Sequence, residues 1–178
     1  MAKKRRAKTV GLAPGSLVFT GEQKVSVPEV QCIQYNEQDF SESTLTTLTP
    51  LPLRPEVITW INVSGIHDAV LIETIGNQVN LHPLTMEDIV HPDQRPKRED
   101  MGNYLYLVLK MLSFDENKNV VAEQVSFIVG ERFLLSFQEE KHRGDVFGHV
   151  RERLRLNRGK IRRCGADYLA YSLIDSVV

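Results

Sequence analysis

The sequence predicts an α/β fold, a three-layer α/β/α sandwich around a mixed, partly antiparallel sheet, and three observations lead there. A β-branched, aromatic run, "VITWINVSG" at 57–65, passes directly into a helical pattern opened by Asp68. From Tyr104 three strand patterns follow one another through short polar reversals. Two helical patterns then end the chain. A strand followed by a helix implies stacked layers, and strands joined by tight reversals imply antiparallel pairing.

Taken in order, the segment "VSVPEVQCIQY" (25–35) alternates Val27, Val30, Cys32 and Ile33 as an early strand does, and Asn36 to Glu42 read as a short capped helix. Prolines at 50, 52 and 55 make "TLTTLTPLPLRPE" (44–56) a loop, because each removes a ladder donor. The 57–65 strand stops at Gly65, and Asp68 opens a helix with Val70, Leu71, Ile75 and Val79 at helical spacing. Then come "YLYLVLKML" (104–112), a polar turn at Asp115 to Asn119, "VVAEQVSFIVG" (120–130), a reversal at Gly130-Glu131 and "FLLSFQ" (133–138). In "GDVFGHVRERLRLNRG" (144–159) the residues Val146, Phe147, Val150 and Leu154 form an apolar stripe, the arginines fall mostly on other faces, and Gly159 is the stop. The final helix begins near Asp167 and reaches Val178 without Gly, Pro or a cationic last turn, so we expect more chain to follow it.

Composition narrows the function. The chain has 178 residues, 42% of them apolar, which suits a folded domain. Its two cysteines, Cys32 and Cys164, form no paired motif, so neither a disulfide framework nor a cysteine zinc site is expected, and the setting reads as reducing. No run reaches the 18 apolar residues that a membrane helix needs. The formal charge of −1 conceals a segregation. Five basic residues lie in a tail at 1–9 and seven between Arg151 and Arg163, whereas 9–150 holds ten basic and twenty acidic side chains. A body of that sign concentrates cations rather than phosphates. The basic run at 151–163 leaves a nucleic-acid-binding domain as the rival of a different class, yet no aromatic platform interleaves with its arginines. Neither a Walker loop, a GxGxxG nor a catalytic triad order is present, so no enzyme is indicated.

The stretch "HPLTMEDIVHPDQRPK" (82–97) holds the most chemistry. Pro83 suits a first helical turn and Pro92 forces an end by Val90 or His91, giving a helix of about two turns. Glu87 and Asp88 are adjacent, so they diverge by about 100° and fan along one rim. Hard carboxylate oxygens of that kind suit magnesium or calcium. An exposed acidic pair is also an ordinary solvated face, and the residues alone leave both readings open.

Seven segments in order, "GLAPGSLVFTG", "TWINVSGIH", "HPLTMEDIVHPDQRPK", "NYLYLVLKML", "EQVSFIVG", "GDVFGHVRERLRLNRGKIRR" and "ADYLAYSLIDSVV", together resemble the cytoplasmic N-terminal domain of the CorA family of divalent-cation channels. The resemblance spans residues 10–178 and implies that family's soluble-domain fold. It also implies a homopentamer, a stalk and membrane helices in a longer chain, and a place at the cytoplasmic face of the membrane. Magnesium, with cobalt or another divalent cation as alternatives, would be the ion bound between neighbouring copies to favour the closed state. By the same resemblance Asp88 would pair with a stalk acid of the next copy, and Glu87 with Asp175 would form a second interfacial site, joined by the Leu12 carbonyl. Carboxylates about 6 Å apart repel by roughly 3 kcal/mol at an effective dielectric of 20, and a divalent cation between them reverses the sign. A zinc-transporting relative with a similar domain is the alternative within transport.

Overall fold

The computed structural model describes residues 16–140 and 146–177. Among them, seven strands form one sheet: β1 (Glu29–Tyr35), β2 (Phe40–Thr44), β3 (Ile58–Ser64), β4 (Lys97–Asp100), β5 (Leu105–Phe114), β6 (Val120–Val129) and β7 (Phe133–Gln138). Their order across the sheet is β2-β1-β3-β7-β6-β5-β4. β3 and β7 run parallel, and the other neighbours pair antiparallel, so the sheet is mixed as expected.

β3 can occupy the middle because both its faces are sticky. All seven of its residues are buried, with Ile61 and Val63 in one core and Ile58 and Trp60 in the other. Two helices, α1 (Ala69–Gln78) and α2 (Pro83–Val90), cover the first face through Leu71, Ile72, Ile75, Met86, Ile89 and Val90. On the second face α3 (Gly148–Arg155) and α4 (Ala166–Ile174) bring Val150, Leu154, Leu169 and Leu173, with Ile161 from a short 3₁₀ turn between them. Three layers result. None of the described helices is long and apolar enough to cross a membrane.

Local sequence explains the ends. Asp68 caps α1, its carboxylate accepting from the Leu71 amide at 3.0 Å. β3 stops at Gly65, whose φ of +104° suits glycine, and the Gly65 amide still donates to the Gln138 carbonyl at 2.9 Å. The proline-rich loop is held down by Gln78, which donates to the Leu48 carbonyl at 2.7 Å and accepts from the Leu51 amide at 2.6 Å.

Three expectations need correction. Asn36 to Glu42 is not a helix: Asn36 Oδ1 accepts from the amides of Gln38 and Asp39 at 2.9 and 2.6 Å, and that turn feeds β2 back along β1. Val70 is 71% exposed, and Ile72 takes the core position in its stead. Most arginines of α3 lie on its other faces as expected, while Arg151 is buried, its guanidinium 5.1 Å from the centre of the Trp60 ring. α3 ends before Gly159, since Leu156 already caps it, and positive φ at Asn157 and Gly159 turn the chain. The charged edge strand β4 has no counterpart in the sequence reading. The tail at 1–9 lies outside the described residues.

Candidate metal centre

α2 forms where the prolines place it. Pro83 sits in its first turn, His82 Nδ1 accepts from the Leu84 amide at 3.2 Å, and the helix ends at Val90, two residues before Pro92. Tertiary bonds fix its orientation. The Tyr104 hydroxyl accepts from the His82 amide at 3.0 Å and lies 2.9 Å from Thr85 Oγ1. At the other end the buried Gln124 side chain donates to the Asp88 carbonyl at 3.1 Å and accepts from the Gln94 amide at 3.0 Å. Met86, Ile89 and Val90 point into the core, which leaves Glu87 and Asp88 partly exposed on the outer rim.

Asp88 does not face open water alone. Lys97 Nζ on β4 lies 2.5 Å from Asp88 Oδ2 and 3.0 Å from Glu99 Oε1, and 5.3 Å from the centre of the Tyr106 ring. Burial pulls the Lys97 ammonium down, but its bonds to Asp88 and Glu99 outweigh that and hold it above the ordinary lysine range. Lys97 thus occupies one of the two Asp88 carboxylate oxygens. Lys97 was not singled out as a site residue from the sequence, although the alternation in Lys97-Arg98-Glu99 places Lys97 and Glu99 on one face of a strand.

Asp175 follows α4 as its exposed C-terminal cap. Because α2 packs on the first core and α4 on the second, the sheet stands between the helix bearing Glu87 and Asp88 and the helix ending at Asp175. One chain brings Glu87 and Asp88 side by side and keeps Asp175 on the opposite layer. Leu12 lies outside the described residues.

Among the described residues no group of three or more His, Cys, Asp or Glu side chains could hold a metal ion. The donors fit magnesium in kind, being carboxylate oxygens, but each chain presents them as partial sets. Several arginines of the basic run are already engaged within the chain. Arg155 pairs with Glu42 at 2.6 Å, Arg158 with Glu152 at 3.5 Å and Arg163 with Glu37 at 3.1 Å, while Arg151 is buried against Trp60.

Comparison with known proteins bears on this arrangement. Residues 55–178 match the family model described as CorA-like Mg2+ transporter protein. The cobalt/magnesium transport protein CorA of Thermotoga maritima is 44% identical over 181 residues, covering 100% of this chain and 51% of that protein. This chain therefore spans about half the length of that relative. Among solved structures, the soluble domain of CorA from Methanocaldococcus jannaschii superposes with a TM-score of 0.58 at 11% identity, covering 82% of this chain and 55% of that one. The ZntB cytoplasmic domain from Vibrio parahaemolyticus gives 0.57 at 13% identity, covering 82% and 56%.

Proposed function

The chain belongs to the CorA family of Mg2+ transporters, and from that premise we propose that it is the cytoplasmic regulatory domain of a magnesium and cobalt channel, in which cation held between copies favours the closed state. The observation that carries this reading is the separation of the acidic groups onto opposite layers. A surface patch on one face and its complement on the other make a heterologous contact, and heterologous contacts close into a ring when the rotation between copies closes. A pentamer assembled in that way would set the Glu87–Asp88 rim of one copy against the Asp175 end, the Leu12 segment and the following stalk of its neighbour. Asp88 and Glu87 would hold the ion from one side, and Asp175 with the Leu12 carbonyl from the other. A bound divalent cation supplies positive charge that offsets carboxylate repulsion at the contact. Lys97 meanwhile keeps Asp88 neutralised in a copy that holds no ion, which prevents an unpaired carboxylate from opposing the fold.

The test uses the full-length transporter. With Asp88→Asn, the magnesium concentration giving half-maximal protection from protease should rise about tenfold, the scale of a typical allosteric coupling. Protection that follows the unaltered curve removes Asp88 from the site.

A second reading has one observation in its favour. The ZntB domain is as similar in fold as the CorA soluble domain, with TM-scores of 0.57 and 0.58, so the fold does not separate a zinc transporter from a magnesium one. The oxygen-only donors of the rim favour magnesium over zinc, which takes nitrogen and sulfur more readily. Uptake of each ion by the full-length protein, measured side by side, decides between them.

A further inference from the structure

We propose that a second site in this chain binds a phosphate group, in the cavity where the end of β1 and the start of β7 meet the start of α4. The cavity has a volume of 240 Å³ and is lined by Tyr35, Arg132, Arg162 and Gly165 among others. That is below the size of most cofactor pockets and room enough for a small oxyanion. It takes no part in the metal centre, since it opens on the face of α4 rather than that of α2.

Tyr35 is the observation that sets the cavity apart from an ordinary crevice. Its side chain is wholly buried and lines the cavity, yet its hydroxyl has no hydrogen-bond partner among the described residues. A buried hydroxyl without a partner is costly, and a ligand oxygen accepting its proton would remove that cost. Three further features select an anion. α4, nine residues long, begins at Gly165 with no side chain capping it, and a helix start of that kind favours negative charge. Arg132 is exposed and enters no ion pair among the described residues. Arg162 is pinned by bonds to the Leu154 and Arg155 carbonyls at 2.6 and 2.9 Å and stacks on Phe40, which fixes a guanidinium at the wall at little further entropic cost.

Two acids stand nearby. Glu37 is neutralised by Arg163 at 3.1 Å. Asp167, in the first turn of α4, stands against Gly165, its Oδ1 2.8 Å from where a Cβ would lie, and offsets one positive charge. Arg132 and Arg162 against Asp167 leave the cavity positive. An acceptor rich in oxygen and carrying more than one negative charge satisfies the amides, the hydroxyl and the arginines together, and phosphate is that ligand.

The experiment titrates the 178-residue chain with inorganic phosphate and, separately, with adenosine monophosphate, at constant ionic strength, following backbone amide resonances. The largest shifts should fall on Gly165 to Tyr168 and Tyr35, far from Glu87 and Asp88. Arg132→Ala and Tyr35→Phe should each weaken binding about tenfold, the usual loss for one charge-assisted or buried hydrogen bond. Tyr35→Phe keeps the ring in the core, and an unchanged amide spectrum without ligand verifies its fold. Equal affinity for the two ligands assigns the site to free phosphate, and tighter binding of the nucleotide assigns it to phosphate esters. Shifts scattered over the surface, or affinities untouched by both variants, overturn the proposal.

Discussion

Lys97 and Asp88 form the ion pair on which the proposed metal site would turn. The pair is about a quarter exposed on each side, so its Coulomb energy is softened by water, but a divalent cation reaching Asp88 Oδ2 must still displace the ammonium. Lys97→Met in the full-length protein should therefore lower the magnesium concentration needed for half-maximal protease protection, by about threefold to tenfold. A midpoint that moves upward or stays fixed shows that Lys97 does not compete. The pair joins residues nine apart on different elements, which is why the rim was legible in the sequence and its counter-ion was not. Cys32 offers a simpler check. Burial raises its thiol from 9.0 to about 11, with Arg54 opposing, so the thiol stays neutral in the fold. Its folded pKa lies above the unfolded one, so the stability it contributes is complete below pH 9 and is lost between pH 9 and about 11. Ellman's reagent at pH 8 should modify the partly exposed Cys164 and reach Cys32 only after unfolding.

Elements set by their own residues were readable in advance, and elements set by neighbours were not. Asp68, Pro83 and Pro92 each act on the backbone within a turn, so α1 and α2 appear where the sequence places them. Asn36 can cap a helix or fold back on its own backbone, and only the presence of β1 beside β2 decides for the turn. β4 is charged throughout and is a strand because β5 offers it an edge; those charges also discourage pairing with another chain. The break after β3 depends on one residue. At Gly65 a Cβ would come within 3.0 Å of the Pro28 backbone while the φ of +104° already excludes most side chains. Gly65→Ala should destabilise the chain by about 2 kcal/mol, read as a lower urea midpoint with an unchanged slope, from the combined cost of strain and overlap. A midpoint equal to that of the parent would mean the β3–α1 junction relaxes freely.

At the scale of the whole molecule the decisive fact is that a single sheet keeps the acidic groups apart. Glu87 and Asp88 ride on a helix of the first layer and Asp175 ends a helix of the third, so no bending of one chain short of unfolding joins them. The sequence could supply the residues and their types, but not that separation, which follows from the alternation of β3, β6 and β7 side chains between two cores. If cation binding needs both sets, it must be linked to association, and linkage makes each depend on the concentration of the other. Sedimentation of the 178-residue chain should show weak self-association that strengthens with added magnesium, reverses with chelator, and needs less magnesium as protein concentration rises. Asp88→Asn or Asp175→Asn should each reduce the magnesium dependence, since either change empties one side of every contact in a ring. A chain whose sedimentation ignores both magnesium and chelator at every concentration would place the regulatory contact outside these residues, because carboxylates on opposite layers have no other way to share an ion.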